Sequence, residues 1–144
     1  MSLESWNLVK KISNLILLVS VLATGILLDI APISVPDGVD KVYHFIGFAL
    51  LTALAISTYV SFFGKKHINL FLMALLILGG VFGGLSEFLQ EFVSMRDCSV
   101  NDWLADLFAV NLVVVFTFLN VSREKKNIES LDGRFEVKDL PLIF

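Results

Sequence analysis

Residues 68–93 read INLFLMALLILGGVFGGLSEFLQEFV, and residues 68–86 pass before the first ionisable side chain, Glu87. A helix crosses a hydrocarbon core of about 30 Å with roughly 20 apolar residues, rising 1.5 Å per residue. This stretch therefore predicts a transmembrane helix. Three further runs of the same kind lie at residues 12–31, 42–63 and 102–121. Over the whole chain 56% of residues are hydrophobic, 17% are charged, and the mean hydropathy is +0.82. An ordinary soluble domain is about half apolar and about a quarter charged. The runs are apolar on every face, which leaves no solvent-facing stripe and excludes a soluble helical bundle.

Lys10 and Lys11 precede the first run, as in a signal peptide, but the run exceeds the roughly 7–15 residues of such a segment. No A-x-A cleavage pattern follows it, so it reads as a retained helix. The expected fold is all-α: an integral membrane four-helix bundle at residues 1–122, then a short cytoplasmic tail at 123–144. In a four-span topology Lys10, Lys11, Lys65, Lys66, Arg123, Lys125, Lys126, Arg134 and Lys138 fall on one side. Only Lys41 and Arg96 fall on the other. That bias predicts cytoplasmic termini and a multi-pass protein of the bacterial cytoplasmic (inner) membrane.

The scarce polar residues then gather at the outer end. Lys41 and His44 are three apart and share a helix face, continued by Phe48. Glu87 and Gln90 are three apart on the third helix, followed by Glu91; Asp102 and Asp106 are four apart on the fourth. With the third helix running to residue 93, Glu87 lies about 9 Å inside it, and Asp106 about 6 Å inside the fourth. Antiparallel neighbours joined by short loops would bring these groups to one layer, with the 94–101 loop carrying Arg96 over it. Arg96 presents a rigid donor fork suited to carboxylate or phosphate. An ionisable group at such depth is expensive and marks a functional site by default, and Lys41 or Arg96 is the expected partner of Glu87. Asp102 also suits a helix N-cap, as do Ser99 and Asn101. Asp29, Asp37 and Asp40 read as loop and helix-end residues.

The pieces Asp40-Lys41-x-x-His44-Phe45, Glu87-x-x-Gln90 and Arg96-x-x-Ser99-x-x-Asp102 resemble the VanZ-like family of small integral membrane proteins. The resemblance covers residues 40–112. The family pattern continues with an Asn and then a Gly where this chain has Asp106 and Ala109. The resemblance implies a role in the cell envelope, linked in the family's founding member to resistance to teicoplanin-type glycopeptides. It implies no particular reaction.

Two roles are open for the cluster, beside that of a buried lock fixing helix register in a scaffold protein. As a binding site, Lys41, Gln90, Arg96, Ser99 and Asp102 would hold an anionic envelope lipid, glycolipid or glycopeptide. As an enzyme site, His44, Glu87 and Asp106 would perform acid–base chemistry on such a lipid. Binding is preferred, because no nucleophile–base arrangement is evident. No cofactor, metal or nucleic-acid partner is assigned; two nearby cations would repel a divalent ion, and no H-x-x-x-H spacing is present. Gly79, Gly80, Gly83 and Gly84 form a doubled G-x-x-x-G suited to close packing of another helix or of a second copy as a homodimer. Cys98, the only cysteine, has no internal partner. Trp6 and Trp103 suit interface anchors at opposite faces. In the tail, Asp132-Gly133 signals a turn for a small hairpin, and the apolar end at 140–144 suits the inner membrane face.

Overall fold

The computed structural model describes residues 3–30, 36, 38–91 and 99–132. Among them are four helices: α1 (Leu3–Ile30), α2 (Val39–Phe63), α3 (Ile68–Leu89) and α4 (Val100–Asp132). Each is long and apolar enough to cross a membrane. The shortest has 22 residues, about 33 Å of helix. The chain is thus an all-α, multi-pass membrane protein. Arg96, Cys98, Asp37 and the 133–144 segment lie outside the described residues.

Sequence order does not set the packing order. α4 packs against both α2 and α3, and α1 packs on α2. α2 and α3 touch each other at few points, although only Gly64–His67 separate them. Gly64 closes α2 with a positive φ of 64° while its N–H donates to Val60 O at 2.9 Å. Glycine adopts that conformation without a Cβ clash. The core joins Ile56 of α2, Ile68 and Leu72 of α3, and Val110 and Val114 of α4. Tyr59 stacks on Phe71 with ring centroids 4.0 Å apart, and its hydroxyl donates to Lys66 O.

α4 sits close to α3 because of the glycine face. A Cβ on Gly79 would lie 2.8 Å from Val110 Cγ2, and one on Gly83 would lie 3.0 Å from Asp106 Oδ2. Gly80 meets Leu107 and Gly84 meets Trp103 on the same face. Of the two uses expected for these glycines, packing of another helix of the same chain accounts for the contacts. Trp103 takes part as well: its indole N–H donates to Gly80 O at 3.0 Å. It therefore knits α4 to α3 rather than serving only as an interface anchor.

Lipid-sized exposure surrounds this core. Leu15, Ile16, Phe62, Ile77, Phe108 and Phe116 are all exposed, the all-round apolar surface that a bilayer solvates. Several hydroxyls within the spans bond to their own helix, as Thr52 does to Phe48 O at 2.7 Å and Thr117 to Val113 O at 2.8 Å. That satisfies them where no water is at hand. α1 is tied to α2 by a polar link absent from the sequence reading: Asn14 Nδ2 donates to Ser57 Oγ at 3.0 Å.

Helix boundaries differ at two places. α4 does not stop near residue 122 but continues to Asp132, so the segment 123–132 is helical rather than part of a hairpin. Arg, Glu and Lys are good helix formers, Lys125 lies 3.8 Å from Glu129 one turn on, and Lys65 of the α2–α3 turn pairs with Glu124. α3 ends at Leu89 and widens into a π-helical turn at Gln90 and Glu91. Residues 92 and 93, to which the expected 9 Å depth of Glu87 is counted, lie outside the described residues.

Candidate functional site

The site is built at the ends of three helices. α2 contributes Lys41 and His44 from its first two turns, α3 contributes Glu87 from its last turn with Gln90 in the π-helical turn that follows, and α4 contributes Asp102 and Asp106. α4 brings them together: lying between α2 and α3, it meets His44 on one side and the glycine face of α3 on the other. Gly83 makes room at this level: a Cβ there would lie 3.0 Å from both Asp106 Oδ2 and Trp103 Cδ1, so the carboxylate and the indole would have to give by a few tenths of an ångström.

His44 is the centre. Its Nδ1 lies 3.1 Å from Asp106 Oδ1 and 3.3 Å from Oδ2, and its Nε2 lies 3.1 Å from Gln90 Nε2. An amide nitrogen only donates, so this arrangement requires an unprotonated Nε2 and an Nδ1–H donating to Asp106. Turning the Gln90 amide over would place its oxygen against a protonated Nε2 instead, so the same residues serve either charge state of the ring. Beyond Gln90, Glu87 Oε1 stands 3.9 Å from Nε2. The layer is buried: His44 is 8% exposed, Glu87 2%, Gln90 1% and Asp106 0%.

A second tier lies toward the mouth. Ser99 precedes α4 and caps it, with the Asp102 N–H donating to Ser99 O at 3.0 Å and reaching Ser99 Oγ at 3.3 Å. The capping alternatives left by the sequence thus resolve to Ser99. The backbone N–H of Ser99 donates to Glu87 Oε2 at 2.7 Å. Lys41 Nζ pairs with the buried Asp102 Oδ1 at 3.3 Å, its own side chain remaining 42% exposed. Of the two cations expected to partner Glu87, Lys41 pairs with Asp102 instead and Arg96 lies outside the described residues; the described partner of Glu87 Oε2 is the Ser99 N–H. The reason is positional: Lys41 is one turn nearer the helix end than His44, level with Asp102 rather than Glu87.

Of the eight residues singled out by sequence, Lys41, His44, Glu87, Gln90, Ser99, Asp102 and Asp106 form one connected network. Arg96 lies outside the described residues. Glu91, one residue past Gln90, is exposed and stands apart from the buried layer. Phe45 and Phe108 flank the site, ring centroids 6.1 Å apart. Asp40 starts α2, where a negative charge suits the helix dipole.

The buried Glu87 Oε1 accepts no hydrogen bond among the described residues. Such an oxygen is costly to leave unpaired, by about 1–3 kcal/mol or more for a charged group. The network's charge is also lopsided: carboxyl groups Glu87, Asp102 and Asp106 face one lysine and one imidazole among the described residues. The opposite end of the bundle differs in kind. A groove of about 390 Å³ there is lined by Asn7, Lys10, Lys11, Ser57, Val60 and Ser61, and Lys11 Nζ lies 5.6 Å from the Phe62 ring centroid. It shares no residue with the network.

The chain matches no family model, no curated protein and no solved structure.

Proposed function

We propose that this chain is a VanZ-like protein of the bacterial cytoplasmic membrane whose outer polar network recognises the anionic headgroup of an envelope lipid. The observation that carries this reading is the two-tier build of the site. Lys41, half-exposed and already aligned by Asp102 at 3.3 Å, stands over a buried layer of His44, Glu87, Gln90 and Asp106. A lysine ammonium has three donors, so pairing with one carboxylate leaves it able to take a phosphate. Polar groups buried near a helix end in a membrane protein mark ligand sites by default. The concentration of basic residues at the other end supports placing this one on the outer face, through the positive-inside rule. A link to glycopeptide resistance rests on the VanZ-like motif alone.

Native mass spectrometry of protein released gently from detergent tests this. Wild type should retain an anionic lipid, and Lys41→Met should lose most of it with the melting temperature unchanged. Equal retention by Lys41→Met and a Lys66→Met control would contradict the reading.

One observation favours a second reading, acid–base chemistry on the same lipid. Asp106 on His44 Nδ1 fixes the ring, and Glu87 Oε1 stands 3.9 Å from Nε2, an arrangement in which imidazole and carboxyl can exchange a proton through a bound hydroxyl. Turnover of a headgroup-labelled lipid by wild type but not by His44→Ala tests it.

A further inference from the structure

We infer that His44 and Glu87 bind a divalent transition-metal ion of the zinc or manganese class, with Asp106 as the positioning residue behind the imidazole. The three side chains each present a ligand atom within 4.8 Å of the others, and all three are buried. One ion cannot take both ring nitrogens, and the geometry divides the roles. Nδ1 is committed to Asp106 at 3.1 Å, the carboxylate–histidine pairing that orients a metal-binding imidazole and raises its basicity. Nε2, which Gln90 Nε2 meets at 3.1 Å, also faces Glu87 Oε1 at 3.9 Å. Two ligands each about 2.0–2.1 Å from a tetrahedral ion stand about 3.3 Å apart, so closing by about half an ångström is enough.

An independent observation points to a ligand. Glu87 is 2% exposed and anchored through Oε2 to the Ser99 N–H at 2.7 Å, while Oε1 accepts no hydrogen bond among the described residues and faces the imidazole. A buried network that served only to lock helices would satisfy that oxygen. Gln90 completes the set, because turning its amide over points Oε1 where its Nε2 now meets His44 at 3.1 Å. Nitrogen and oxygen donors without sulfur suit zinc and manganese. Two nearby cations and the lack of an H-x-x-x-H spacing count against a metal in the sequence, but Lys41, one of those cations, is paired with Asp102 at 3.3 Å, and the ligands come from two helices rather than from one.

The ion also gives the acidic site a means of holding an anion, since a divalent charge between His44 and Glu87 offsets the carboxyl groups and leaves open positions for a phosphate. This purpose rests on the proposed lipid recognition; the ion itself does not.

The test is zinc and manganese uptake by the purified full chain in detergent, after chelation and gel filtration, read by elemental analysis and titration. Wild type should take up about one equivalent of one of the two ions. His44→Ala and Glu87→Gln should each weaken uptake at least 100-fold, and Asp106→Asn about 10–100-fold. X-ray absorption of bound zinc should show nitrogen and oxygen neighbours including an imidazole, which keeps the test sound if a variant fails to fold. Uptake below a tenth of an equivalent, unchanged uptake in well-folded variants, or a sulfur shell from Cys98 would overturn the inference. So would uptake that appears only in Arg96→Gln, since the guanidinium would then be the occupant of Oε1. Anionic lipid retention that survives chelation removes the bridging role but not the ion; metal uptake with no lipid retained counts against the lipid reading alone.

Discussion

His44 Nδ1 stands 3.1 Å from Asp106 Oδ1, linking the start of α2 to the second turn of α4 across 62 residues of sequence. Both groups are buried, so neither can turn to water when the other is lost. Removing one partner of such a pair typically costs about 3–5 kcal/mol, whereas replacing both by apolar groups is often neutral. Asp106→Leu should therefore lower unfolding stability in detergent by that amount, and the double variant His44→Leu/Asp106→Leu should recover much of it. Asp106→Asn, which keeps an acceptor for Nδ1–H, should cost only about 1 kcal/mol. A double variant as weak as the single one would contradict this coupling.

The α3–α4 contact makes a steric prediction. A methyl on Gly79 would meet Val110 Cγ2 at 2.8 Å. Gly79→Ala should cost about 1–3 kcal/mol through overpacking, and Val110→Ala should relieve much of that loss in the double variant. At Gly25 nothing lies within 4 Å of the added carbon. Gly25→Ala should be neutral or slightly stabilising, because alanine is the better helix former. Thermal unfolding of the four variants side by side is the check.

Trp103 and Lys65 separate strong from weak polar contacts. Trp103→Phe keeps the ring but loses the donor to Gly80 O, which predicts a loss of about 0.5–1.5 kcal/mol. Lys65 and Glu124 are paired but each about half exposed. Lys65→Ala should change stability by no more than about 1 kcal/mol. A larger effect at Lys65 than at Trp103 would reverse the ranking.

The orientation is open to chemical labelling. In a Cys98→Ser background, Val39→Cys near the polar network should react with an impermeant maleimide in intact cells. Lys66→Cys at the basic end should react only after permeabilisation. The opposite pattern would place the network in the cytoplasm.

The spans were legible in the sequence because hydropathy over 68–86 admits one reading, and helix periodicity correctly paired Lys41 with His44 and Glu87 with Gln90. Less legible was which helix lies between which. Short loops suggest that consecutive helices pack together, yet α4 separates α2 from α3, because glycines on α3 and a fitting Val110 make that contact closer. The partners of Glu87 were legible only in part: register along α2 does not show that Lys41 is level with Asp102, or that the Ser99 N–H reaches Glu87, and Arg96 lies outside the described residues. The Asn14–Ser57 link went unseen, as one amide in a long apolar run carries little signal. The extension of α4 past residue 122 leaves little trace in the sequence, because a charged run marks the end of a bilayer as readily as the end of a helix.

Recognition of a lipid headgroup at the end of the bundle bearing His44 makes a spatial prediction. It is tested most directly by photo-crosslinking an anionic lipid with a diazirine in its headgroup, followed by peptide mapping. Adducts should concentrate on residues 39–50 and 99–110 and should fall several-fold in Lys41→Met. Adducts confined to the groove beside Lys10 and Lys11, or spread evenly over the lipid-facing surface, would contradict it.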